Sequence, residues 1–147
     1  MQNKAKVSVE IFNKGFNCAQ AVLCSHCDEY GLPEAIAKKL SCGFGAGMAY
    51  TDNICGAVTG ALMLIGLKYG KSMESDNEAK EKTYNLVKEF IEGFKKEYGS
   101  IECTELIKYD LSKEEELLKA RTSGVFTDLC PLFVKRSVEL VEKILDE

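Results

Sequence analysis

Asn53-Ile54-Cys55-Gly56-Ala57-Val58-Thr59-Gly60-Ala61-Leu62-Met63-Leu64-Ile65-Gly66-Leu67 is the longest apolar run of the chain, and a cysteine stands at its entrance. Gly56, Ala57, Gly60 and Ala61 recur at i, i+1, i+4 and i+5, so they share one side of a helix. A face of small residues lets a second helix approach closely, while Leu62, Met63, Leu64 and Ile65 fill the surrounding core. The stretch therefore predicts a central buried helix over about 54–69 with a thiol at its N-terminus. From Ile54 to Leu67 the run is 14 residues, short of the roughly 20 that span a bilayer, so no membrane insertion is expected.

Outward from this helix the pattern stays helical. Val7, Ile11 and Phe12 predict a helix over 4–14 that stops at Gly15. Asn17 is a candidate N-cap for a helix running to Tyr30, with Gly31 just past its end. Pro33 opens a short helix to Leu40. Glu78 to Tyr98 predicts a long amphipathic helix with Tyr84, Val87, Ile91, Phe94 and Tyr98 on its apolar side, widened by Leu86 and Phe90. Ser100 is a candidate cap for a short helix, Ser112–Glu115 reads as a capping box, and a last helix follows Cys130-Pro131 to about Leu145. No alternating strand pattern and no internal repeat is present. The expectation is one all-α domain over 1–147, a compact bundle of about six or seven helices.

Composition narrows the function. The chain is 46% hydrophobic and 29% charged with a net charge of −4, and its basic residues are interspersed with acidic ones. No basic stripe exists, so no nucleic-acid partner is expected. The first residues lack an apolar signal core, which predicts a cytoplasmic protein. Seven cysteines are the outlier. In a reducing compartment such a count points to metal binding or redox chemistry rather than a disulfide framework.

Cys55 follows the candidate caps Asp52 and Asn53, Cys103 follows Ser100, Cys130 precedes Pro131, and Cys18 follows Asn17. A helix N-terminus offers free N–H groups that favour the thiolate, the form that attacks disulfides and ligates metals. Packing by small buried cysteines is the competing reading. Cys24-Ser25-His26-Cys27 is a C-x-x-C pair holding the only histidine, expected in mid-helix. With no second C-x-x-C, no H-E-x-x-H and no Ser/Asp partner evident for His26, neither a zinc finger, a zincin nor a hydrolytic triad is indicated. Gly43, Gly45 and Gly47 invite comparison with a phosphate loop, but no Lys-Ser/Thr follows and no strand precedes them. A tight crossing against the central helix accounts for them better.

Five segments now stand in order: Gly15-Phe16-Asn17-Cys18-Ala19-Gln20, Gly43-Phe44-Gly45-Ala46-Gly47-Met48, Cys55-Gly56-Ala57-Val58-Thr59-Gly60-Ala61, Gly99-Ser100-Ile101-Glu102-Cys103 and Cys130-Pro131-Leu132-Phe133-Val134. Together they resemble the C_GCAxxG_C_C family of redox-active proteins, over nearly the whole chain. The resemblance implies Cys18, Cys55, Cys103 and Cys130 as signature cysteines, with the glycine-rich segment on Gly43, Gly45 and Gly47 and the CGAxxG segment on Cys55, Gly56, Ala57 and Gly60. Cys24, Cys27 and Cys42 fall outside the signature. Similar domains occur beside haem or iron–sulfur carriers.

Three functions follow as expectations. In the first, the four signature thiolates hold an iron–sulfur cluster or zinc for electron transfer or redox sensing, with backbone N–H groups of Gly43, Gly45, Gly47 and Gly56 at the cofactor. In the second, Cys55 attacks a disulfide and a neighbour such as Cys18 resolves it, with a redox protein as partner. In the third, the domain is a helical interaction module. Whether the protein is an enzyme stays open between an oxidoreductase and a carrier. No substrate-pocket pattern is evident, so a conventional small-molecule enzyme ranks last. The small-residue face Gly56/Gly60 is expected to pack within the chain rather than across a homo-oligomer. Both redox readings require Cys55 to lie close to at least one other signature cysteine, and the helix ends bearing Cys18, Cys103 and Cys130 are expected to converge on Cys55 beside residues 43–47.

Overall fold

A computed structural model describes residues 3–146; residues 1, 2 and 147, which the one-domain expectation also spans, lie outside the described residues. Among the described residues the protein is all-α, with no strand and a single isolated bridge between Ile54 and Glu102. Its helices are α1 (Lys4–Asn13), α2 (Cys18–Leu23), α3 (Glu34–Ser41), α4 (Gly45–Tyr50), α5 (Gly56–Tyr69), α6 (Asn77–Tyr98), α7 (Cys103–Ile107), α8 (Glu114–Ser123), α9 (Val125–Asp128) and α10 (Cys130–Leu145). The segments outnumber the expected six or seven because several are single turns between long helices.

α5 sits at the centre and packs against α2, α10 and α6. It has no polar side: Ala57, Val58, Gly60, Ala61, Leu64 and Ile65 are all buried. A helix apolar all round belongs inside a protein, and here three neighbours cover it. Its C-terminal end is tied to that of α10, where the Lys68 ammonium donates to the Leu145 carbonyl and the Tyr69 hydroxyl donates to that of Ile144 at 3.2 Å. α6 lays Leu86, Phe90 and Phe94 on the core, one residue per turn at i, i+4 spacing, while Tyr84 at the edge of the predicted stripe is 55% exposed. Tyr98 meets Phe94 at 4.9 Å and Phe133 of α10 edge-on at 5.0 Å between ring centroids, and the aromatic cluster locks α6 to α10.

Several local expectations need correction. The helix after Asn17 ends at Leu23 rather than Tyr30, because both the N–H and the hydroxyl of Ser25 donate to the Val22 carbonyl and tighten the chain into a shorter turn. Cys24-Ser25-His26-Cys27 is therefore not mid-helix; Cys27 begins a separate 3-10 turn that Gly31 closes at φ 79°. Ser112 does not form a capping box. Its hydroxyl donates to Asp110, and Lys113 holds the cap position of α8. α5 begins at Gly56 with Cys55 as its N-cap, so Asp52 and Asn53 are not the caps. α7 begins at Cys103 with Glu102 at the cap, and Ser100 instead accepts the Glu102 N–H.

The largest surprise is α4. Ala46, Gly47, Met48, Ala49 and Tyr50 have φ between 55° and 67°, a left-handed helical turn. L-residues enter this region at a cost of roughly 1–2 kcal/mol each. The turn is held by its own far end: the Asn53 N–H donates to the Gly47 carbonyl at 3.0 Å, and the Thr51 hydroxyl to that of Met48 at 2.7 Å.

A thiol-lined candidate site

Cys18 is the first residue of α2. The Asn17 carbonyl oxygen of the side chain accepts the Gln20 N–H at 3.0 Å, and the Gln20 side chain accepts the Asn17 N–H at 2.9 Å, a reciprocal capping box. The remaining amide groups anchor this turn: Asn17 donates to the Cys42 carbonyl and Gln20 to the Lys38 carbonyl. The N-C-A-Q segment thus fixes Cys18 in space from both sides.

The glycines of α5 set how closely α2 approaches. A Cβ on Gly56 would stand 2.5 Å from the Cys18 sulfur, and one on Gly60 would stand 2.8 Å from the Ala19 carbonyl. The face Gly56/Gly60 is therefore filled within the chain. Cys55 and Cys103 are brought together by two backbone bonds, the Cys55 N–H to the Ile101 carbonyl at 2.8 Å and the Cys103 N–H to the Asn53 carbonyl at 3.0 Å. The left-handed turn completes the arrangement. A Cβ on Gly47 would lie 2.8 Å from the Cys103 Cβ, and one on Gly45 would overlap the Asn17 side chain. Gly43 is exposed and faces open space.

Cys18, Cys55, Cys103 and Cys130 line one cavity of about 280 Å³, walled by Phe12, Phe16, Leu106, Phe126 and Phe133, with Ala46 and Gly56 beside the thiols. Cys18 and Cys130 are partly exposed, and Cys55 and Cys103 are buried. No pocket pattern was visible in the sequence, because the walls come from six separated segments. Cys42 is exposed on the turn after α3 and does not line the cavity. Cys24 and Cys27 are buried against each other near Glu34, away from the cavity lining.

The four thiols differ in their protonation. The Cys18 thiol is lowered from 9.0 to about 6, first by the Cys55 thiol that donates to it and then by the N–H groups of Ala46, Ala19 and Gly56, which together outweigh burial. Cys55 is pushed well above the ordinary thiol range by the same partner and by burial. The donors explain the direction. Three backbone N–H groups from three segments point at Cys18, whereas Cys55 receives only that of Ala57. Burial, with the charge of Cys18 next, pushes Cys103 and Cys130 up to about 12. The surroundings thus favour the thiolate at Cys18 and the neutral thiol at Cys55, Cys103 and Cys130.

His26 has partners that the sequence did not reveal. Its Nδ1 is 2.8 Å from the Ser25 hydroxyl, and its Nε2 is 3.5 Å from a Glu142 carboxylate oxygen on α10. The hydroxyl is buried, already donates to the Val22 carbonyl and does not line the cavity, so the trio is a structural link rather than a nucleophile. Burial holds His26 below its ordinary range.

The family model described as "Putative redox-active protein (C_GCAxxG_C_C)" matches residues 16–144. The chain belongs to this family. No curated protein and no solved structure gives a significant match to it.

Among the described residues, no three or more His, Cys, Asp or Glu side chains lie close enough together to hold a metal ion. The signature cysteines share a cavity but do not form a coordination sphere in this arrangement. No helix among the described residues is long and apolar enough to cross a membrane.

Proposed function

We propose that the protein is a thiol–disulfide redox protein in which Cys18 is the nucleophile and Cys55 the resolving thiol. The observation that carries this reading is that Cys18 and Cys55 line one cavity, with the backbone N–H groups of Ala46, Ala19 and Gly56 directed at Cys18 and that of Ala57 at Cys55. The sequence alone favoured Cys55 as the attacker; the backbone donors around Cys18 favour the opposite assignment. The Cys18 thiolate attacks one sulfur of a disulfide, that S–S bond breaks, and the distal sulfur leaves as a thiolate. The Cys55 sulfur then attacks the Cys18 sulfur, its proton passes to the departing thiolate, and a Cys18–Cys55 disulfide remains. The substrate disulfide gains two electrons and the protein dithiol loses two. An external dithiol restores the reduced protein. Cys103 and Cys130, protonated and buried or half-buried, fill the wall beside this pair.

An iron–sulfur or zinc centre on Cys18, Cys55, Cys103 and Cys130 ranks second. It would require the thiols to draw together and Cys103 and Cys130 to give up protons that burial holds to about 12.

The test is the pH dependence of Cys18 alkylation by iodoacetamide, followed by peptide mass analysis. Labelling of Cys18 should rise with a midpoint near pH 6, and Cys55→Ala should move that midpoint toward the ordinary thiol range. Oxidation with a small disulfide should yield a Cys18–Cys55 bridge. A midpoint near that of a free cysteine, or a bridge that omits Cys18, overturns the reading.

A further inference from the structure

The cavity has one charged lining side chain, Arg121 of α8. Its guanidinium carbon lies 5.9 Å from the centroid of the Tyr50 ring, and it forms no ion pair among the described residues. The lining contains no acidic residue. An arginine presents a planar fork suited to carboxylates and stacks on aromatic faces, and Tyr50 supplies such a face. The remaining walls are aromatic and aliphatic, and the volume is at the small end of the range for ligand pockets. Cys18 opens into this concavity and is only partly exposed, which suits a small molecule better than a sulfur on a folded partner's surface.

We infer that the cavity binds a small disulfide with an aromatic or similarly flat apolar body and a carboxylate, the body among the phenylalanines and the carboxylate on Arg121. The inference rests on the thiol–disulfide reading and adds the substrate class to it. Arg121 is a specificity residue: it offsets the repulsion between an anionic substrate and the Cys18 thiolate.

Two aromatic disulfide probes separate the terms, the anionic dithiobis(nitrobenzoate) and the uncharged dithiodipyridine. Arg121→Gln should slow single-turnover reduction of the anionic probe by about fivefold, the upper worth of one solvent-exposed charge pair. It should leave the uncharged probe within about twofold of wild type. Benzoate, which carries no sulfur, should protect Cys18 from iodoacetamide in the wild type and not in Arg121→Gln. Equal slowing of both probes, or benzoate protection that survives the substitution, overturns the carboxylate assignment while leaving the thiol reading intact. Failure of wild-type Cys18 to react with either probe removes the thiol reading, and the substrate class falls with it.

Discussion

Cys18 shows how a single sulfur acquires a function from its surroundings. A thiol that ionises at about 6 when folded and near 9.0 when unfolded adds stability to the folded protein that grows as pH rises between those two values. That contribution is complete above the ordinary thiol range and is lost as pH falls through about 6. Cys55, Cys103 and Cys130 have the opposite sign: above the ordinary range the unfolded chain ionises them first and folding weakens. Thermal unfolding of wild type minus Cys18→Ser should therefore show an advantage that grows from about pH 6 to about pH 9, on the order of a few kcal/mol. A flat difference curve would remove the thiolate. Gly56→Ala tests the same site sterically, because the new Cβ would stand 2.5 Å from the Cys18 sulfur. We expect a loss of about 1–3 kcal/mol in urea unfolding and a higher alkylation midpoint for Cys18.

At the scale of elements, the left-handed turn α4 makes the clearest demand. Ala49 is exposed at φ 59°, so Ala49→Gly should stabilise the protein, by about 0.5–1 kcal/mol in urea unfolding. Gly47→Ala, two residues earlier, should instead destabilise it, since its Cβ would meet the Cys103 Cβ. Equal effects of the two substitutions would contradict the turn. The α5 helix was legible in the sequence because its small residues and its apolar body each carry a period. The α6 boundaries were legible too, from Tyr98 and Gly99 at its end. α4 was not: Gly43, Gly45 and Gly47 signal backbone freedom, but Ala46, Met48, Ala49 and Tyr50 carry no mark of a positive φ. The end of α2 was hidden for a different reason. Ser25 follows Cys24 in a run that reads as helix, and only its two bonds to the Val22 carbonyl stop it.

For the molecule as a whole, motif order identified the four cysteines of the cavity, while their protonation pattern needed the donors of three separated segments. Arg121 carried no signal at all, being one cation among the charges of α8. Phe133 joins the scales, with one face on the cavity and its ring against Tyr98. Phe133→Ala should cost about 3–5 kcal/mol in denaturant unfolding. A cost below about 1 kcal/mol would show that the aromatic cluster does not hold α6 to α10. The two backbone bonds joining residues 53–55 to 101–103 have a consequence for folding itself. They tie together stretches far apart along the chain, so Cys103 joins the cavity only when both stretches are in place. A nascent or unfolded chain carries seven ordinary thiols. On folding, labelling near neutral pH should accelerate at Cys18 while it slows at Cys24, Cys27 and Cys103, and the ratio of the two reports the native fraction directly.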